Sequence, residues 1–228
     1  MTHKPAILNR LKEGNGRIVY LDSGQISRLL EASKRDSSPY IYPFILIGLE
    51  TGMRRMEILS IRLKDIHLNR NRIYIPKGKT GSREQPMTNH LRGFLDKKIK
   101  TSSPEQEWLF HSDKSKTGHI VAIEKAFRRT VERAGLDPKE IVCHTLRHTA
   151  VSQLVQAGVD LPTVSRLVAI KHWLWLSVIA TKTEAIFRPQ WINLKAKFIH
   201  SAGVLLCQLH QNYTQKEKGL KWIAVESL

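Results

Sequence analysis

The hydrophobic period of this chain changes sharply at one place. In NRIYIP, Asn71–Pro76, Ile73 and Ile75 alternate with Arg72 and Tyr74, the two-residue repeat of a strand. KGKTGS then supplies a glycine-containing turn, and REQPMT, Arg83–Thr88, returns as a second strand. WLF, Trp108–Phe110, is a further short strand candidate. The other patterned segments repeat at helical spacing. LDSGQISRLLEASKRDSS places Ile26, Leu29 and Leu30 on one face behind a cap at Asp22 or Ser23, whose side chain can accept first-turn amide hydrogens. PYIYPFILIGLETG predicts a more buried helix ending near Gly52, and RRMEILSIRLKDI a short amphipathic one with Ile58, Leu59 and Leu63 inward. TNHLRGFLDKKI, HIVAIEKAFRRTVERAG (stopped at Gly135), HTLRHTAVSQLVQAG (stopped at Gly158) and LPTVSRLV complete the helical set. In HTLRHTAVSQLVQAG, Leu146, Ala150, Leu154 and Ala157 share a face. The expected fold is mainly α with one small β-hairpin or sheet.

Charge narrows the partners. Among 228 residues, 37 Lys+Arg stand against 20 Asp+Glu, a formal net charge of +17. Cations brought near phosphates release condensed counterions, so this balance favours a polyanionic partner, nucleic acid before others, and by itself does not separate DNA from RNA or from an anionic membrane surface. Two cysteines, Cys143 and Cys207, give neither a disulfide framework nor a zinc pattern, and a reducing cytoplasm is the expected setting. The first residues lack the apolar core of a secretory signal. No uncharged, mostly apolar run, Trp173–Ala180 included, approaches the ~20 residues that cross a bilayer. No membrane and no small-molecule substrate is expected.

Four basic residues stand at informative places. Arg54 follows a helix stop in ETGMRRMEIL, and Lys79 sits at the hairpin tip in KGKTGS. His144 and Arg147 lie three apart in HTLRH, on adjacent faces of one helical turn. Taken singly, each is a common surface charge or cap. Together, TGMRRMEILSIRLKDI, IPKGKTGSREQPM and HTLRHTAVSQLVQAGVDLPTVSRL resemble, in order and spacing, the first arginine box, the lysine hairpin and the His-x-x-Arg-His box of the tyrosine recombinases of the phage integrase group. The likeness runs from about Ile18 to Leu167.

That resemblance implies a catalytic domain that breaks and rejoins DNA through a phosphotyrosine intermediate, in site-specific recombination that integrates or excises a mobile element. Arg54 and Arg147 would hold the non-bridging phosphate oxygens as charge builds on them. Lys79 would protonate the leaving 5′-oxygen, His144 would assist proton transfer at the tyrosine hydroxyl, and His148 would support the site. The implied partners are double-stranded DNA and other recombinase subunits. No cofactor and no metal is implied, since the arginines supply the positive charge.

Two rival motifs fail. GKT, Gly78–Thr80, lacks the glycine that a phosphate-binding loop wants five residues before Gly78, where Ile73 stands. His144 and His148 have the spacing of a zinc pair, but Thr145 occupies the place of the hydrolytic glutamate.

The resemblance breaks after Leu167. There the family runs on through Leu-Gly-Gly-His or Leu-Leu-Gly-His to a nucleophilic tyrosine about nine residues after that histidine. This chain has VAIKHWLWLSVIATKT, with Ile170 in the place of the histidine and Ile179 in that of the tyrosine. An alkyl side chain neither relays a proton nor attacks phosphorus. His172 is two residues, about 200° of helix, from the expected direction, and Tyr213 lies far beyond the usual spacing, so both are weak substitutes. Reverse-translated with chosen synonymous codons and read two nucleotides later, the stretch spells GHKALAMAERYRHK. One guanine restored after the Leu167 codon gives RLGGHKALAMAERYRH, a full family segment. Four of the five tryptophans lie after residue 172, which marks the same boundary compositionally. The expected organisation is residues 1–17 as the linker remnant of a missing core-binding domain, 18–167 as the catalytic domain, and 168–228 as a divergent, out-of-frame tail. Strand cleavage is expected to be defective, the alternative role being a non-catalytic DNA-binding remnant.

Overall fold

The computed structural model describes residues 19–78 and 81–169. Seven α-helices and a three-stranded antiparallel sheet stand in chain order among these residues: α1 (Ser23–Lys34), α2 (Ile41–Thr51), α3 (Arg55–Leu59), β1 (Ile66–His67), β2 (Arg72–Gly78), β3 (Gly81–Pro86), α4 (Asn89–Lys100), α5 (Glu124–Arg133), α6 (Cys143–Gln156) and α7 (Leu161–Val168). The mainly α fold with a small sheet agrees with the sequence pattern.

Helix α1 begins at a capping box. Asp22 Oδ1 accepts the Gln25 N–H at 2.8 Å, and Gln25 Oε1 accepts the Asp22 N–H at 3.0 Å, which settles the cap on Asp22 rather than Ser23. Helix α2 runs through the centre, with nine of its eleven residues buried, and therefore carries apolar side chains on all sides rather than along one stripe. It crosses α6 closely at Gly48, where an added Cβ would lie 2.9 Å from Leu146 Cδ1. Helix α6 is tied to the chain entering α1 by the Leu21 N–H, which donates to Thr149 Oγ1 at 3.0 Å. The sheet has order β1-β2-β3, with Ile73 opposite Gln85 and Ile75 opposite Arg83. Ile73 and Ile75 face the core, as the alternation predicts.

Three local expectations are corrected. Helix α3 stops at Leu59, and Leu63 opens a separate 3-10 turn. WLF is not a strand. Trp108 makes one bridge with Arg62, whose guanidinium sits 4.7 Å from the Trp108 ring centre. Leu109 and Phe110 are both buried, so consecutive residues turn inward and alternation is lost. Residues 119–123 precede α5 outside any helix, with the Ile120 N–H donating to Phe110 O at 2.8 Å. The sequence pattern also missed β1, which at two residues is too short to show a period.

Helix α7 is capped by Asp160, whose Oδ1 accepts the Thr163 N–H at 2.9 Å, and it packs Val164, Leu167 and Val168 with Val151 and Leu154 of α6. It ends at Ala169 in the left-handed conformation, φ 50° and ψ 56°. An L-residue with a Cβ is strained there by about 1 kcal/mol.

Replacing Gly48 by valine should lower unfolding free energy by about 1–3 kcal/mol through overpacking against Leu146, read as a lower urea midpoint. Ala169→Gly should raise it by roughly 0.5 kcal/mol by relieving the left-handed strain, measured in the same denaturation series.

Candidate active site

The chain leaves α2 through a turn that Thr51 shapes. Its Oγ1 donates to Ile47 O at 2.6 Å and accepts the Met53 N–H at 3.2 Å, while Gly52 takes the left-handed conformation at φ 62°. This turn delivers Arg54 to the start of α3 in extended backbone. Three residues on, Glu57 reaches back. Its carboxylate accepts the Arg54 N–H and Arg54 Nη1, each at 3.0 Å. The other terminal nitrogen of Arg54, Nη2, donates to Ala169 O at 2.9 Å.

Arg147 approaches from α6 and is 4% exposed. Its Nη1 donates to Gly52 O at 2.5 Å and its Nη2 to Val168 O at 2.6 Å. The two guanidiniums therefore meet on consecutive carbonyls at the C-terminus of α7, the negative end of that helix's dipole. Each commits two N–H groups to these contacts and, with five in all, keeps donors for an anion. Burial lowers the Arg147 pKa to about 10, and the charge of Arg54 acts in the same direction. Arg147 stays protonated at neutral pH.

His144 lies one turn before Arg147 on α6 and stands edge-on to His148, ring centres 4.7 Å apart at 82°. Burial, then the charges of Arg147 and Arg54, lowers the His144 pKa. Burial, then His144 and Arg147, pushes His148 down to about 4. Both imidazoles are neutral at physiological pH and can accept or donate a proton. A cleft of about 330 Å³ opens beside them, walled by Met53, Val142, His144 and Arg147 and by the ion pair of Arg55 with Glu124. Cys143 also lines it, but burial raises its thiol to about 11, which leaves it protonated and unreactive. Among the described residues, no third His, Cys, Asp or Glu joins the two histidines in a cluster able to hold a metal ion.

Of the residues singled out in the sequence, Arg54, His144, Arg147 and His148 come together. Lys79 follows the last residue of β2 and, with His172 and Tyr213, lies outside the described residues. Glu57 and Arg83 were missed. Glu57 is 6% exposed and is held by Arg83 as well as by Arg54. Burial pushes its carboxyl up, but the hydrogen bonds from Arg83 and Arg54 outweigh that and hold it at about 2. The i, i+3 spacing of Arg54 and Glu57 was a usable signal. The partnership with Arg83, 26 residues on, was not.

Comparison with known proteins agrees with this frame. The model of the phage integrase family matches residues 19–173. Tyrosine recombinase XerA of Saccharolobus solfataricus is 30% identical over 152 residues, covering 66% of this chain and 48% of the relative. Type 1 fimbriae regulatory protein FimB of Escherichia coli K12 is 30% identical over 177 residues, covering 72% of this chain and 86% of the relative. The chain thus spans about half the length of XerA. Among solved structures, XerH site-specific recombinase bound to a palindromic difH substrate, in a post-cleavage complex, superposes with a TM-score of 0.65 at 22% identity, over 79% of this chain and 54% of that one. The XerA recombinase crystal structure gives 0.60 at 22%, over 76% and 66%. The match of the family model over residues 19–173, more than half of the chain, places this chain in the phage integrase family, and the convergence of Arg54 and Arg147 on the end of α7 lies within the matched span.

Proposed function

We propose that this chain is a recombinase or integrase by lineage that binds duplex DNA and holds a backbone phosphate, but does not itself form the covalent intermediate. The observation that carries the phosphate-holding role is the convergence of Arg54 and Arg147 on the consecutive carbonyls of Ala169 and Val168. Two guanidiniums with donors to spare, set side by side, match the two non-bridging oxygens of a phosphodiester. In the intact reaction, a tyrosine oxygen bonds to phosphorus and the 5′-oxygen leaves with a proton. Lys79 is the proposed donor of that proton and neutral His144 the group that manages the proton of the nucleophile, with His148 packed behind it. This chain carries Ile170 and Ile179 where the family's second histidine and its tyrosine belong, so the step has no attacking group.

The left-handed helix-to-loop transition at residue 169 is compatible with the proposed loss of frame. With the chosen codons the shifted reading has glycine at that position, the residue that takes this conformation without strain. We assign residues 168–228 to out-of-frame translation and residues 1–17 to a linker. A second role, that of a DNA-binding protein without catalysis, is favoured by one fact. Arg54 and Arg147 converge, and the sequence carries Ile179 in the place of the tyrosine.

Incubated with a suicide duplex, the chain should give no denaturation-resistant adduct but a mobility shift that weakens steeply with salt. An adduct mapping to Tyr213 would overturn the proposed defect. Arg54→Ala should weaken duplex binding by about 5-fold at fixed low salt, measured by fluorescence anisotropy. The coding DNA should spell glycine, histidine and tyrosine in the shifted frame at positions 169, 170 and 179; codons that forbid any of these would sink the frame hypothesis.

A further inference from the structure

The hairpin and the arginine pair are joined by one buried carboxylate. Arg83 and Gln85 are two apart on β3 and so share a face of the sheet. Gln85, 2% exposed, donates from Nε2 to Thr51 O at 3.3 Å, at the last residue of α2. Arg83 donates from Nη1 to Glu57 Oε1 at 3.0 Å and from Nη2 to Glu57 Oε2 at 2.7 Å, a two-pronged contact that fixes the plane of the carboxylate. The same two oxygens receive the backbone and side chain of Arg54. Glu57 is thus gripped from α3 by Arg54 and from β3 by Arg83, and Arg147 on α6 also feels its charge.

The location of Arg83 gives this grip a further consequence. It pairs with Ile75, where the ladder is last regular before the irregularity between Ile75 and Gly78. The segment beyond leads to residues 79 and 80, and Lys79 is the proposed proton donor. The contact of Arg83 with Glu57 therefore ties the root of that hairpin to the carboxylate that orients Arg54. Without Arg83, a carboxylate 5% exposed would face Arg54 as its one remaining direct ion-pair partner among the described residues. It would then either take up a proton or draw the Arg54 guanidinium inward, away from an incoming phosphate.

We propose that Arg83 is a positioning residue: through Glu57 it sets the direction of Arg54 and locks the root of the β2–β3 hairpin to the phosphate-holding pair. The proposal rests on the assignment of Arg54 to phosphate, and its test does not need DNA. The full chain, with ¹⁵N-labelled arginine and ¹³C-labelled glutamate, is compared with Arg83→Met and Arg83→Lys by NMR. In the unsubstituted chain, the Arg54 Nε–H resonance, assigned by its loss in Arg54→Lys, should be sharp and slow to exchange. Glu57 should titrate far below the ordinary carboxylate range.

In Arg83→Met, the Glu57 midpoint should rise into or above that range and the Arg54 signal should broaden, while the Arg147 signal persists. Arg83→Lys, which keeps the charge but not the fork, should fall between the two and should fold even if Arg83→Met does not. A folded Arg83→Lys or Arg83→Met with an unmoved Glu57 midpoint and an unchanged Arg54 signal would overturn the proposal. Loss of fold alone moves all three resonances together, and in that case Arg83→Lys decides. If the NMR result is as expected but duplex DNA does not bind, the phosphate role fails and the positioning role stands.

Discussion

Two like charges set side by side, one of them almost wholly out of water, are the hardest thing this fold has to accommodate. Arg54 and Arg147 repel, and burying Arg147 removes the hydration that would offset its charge. The structure answers with backbone. Gly52 O, Val168 O and Ala169 O accept from the two guanidiniums, and the Glu57 carboxylate balances Arg54. Those acceptors come from the end of α2, the end of α7 and the first turn of α3. Satisfying the arginines therefore fixes how three helices meet, and the packing of Gly48 under Leu146 brings α6 close enough for the contact.

Much of this was legible in sequence where one residue type had one physical use. The alternation of Ile73 and Ile75 gave β2, the polar pair Asp22–Ser23 marked the start of α1, and the glycines after α2 and α6 marked their ends. Failures came where contacts run between segments. Trp108 follows Arg62 rather than a strand period, because a cation over its ring and a turn through Leu109 outweigh local propensity. Helix α3 looked longer because Ile61 and Leu63 continue an apolar pattern, yet the Leu63 N–H bonds to Glu107 O, outside any helical ladder.

The site divides in the same way. Arg54, His144, Arg147 and His148 were identified through linear boxes, and three of the four stand on a single turn and a half of α6, where sequence spacing translates directly into spatial spacing. Glu57 left only its i, i+3 spacing from Arg54 as a sign, and Arg83 left none, because their value is relational. A glutamate in a short helix and an arginine on a strand are ordinary until the fold sets a carboxylate between two cations.

The oxygens that receive Arg54 and Arg147 at the end of α7 belong to peptide groups, not side chains. Every amino acid supplies the same carbonyl, so that anchorage is blind to which codons are read. A side-chain substitution at position 168 or 169 that keeps the backbone path therefore leaves both anchors in place, because the acceptors belong to the polymer rather than to its side chains.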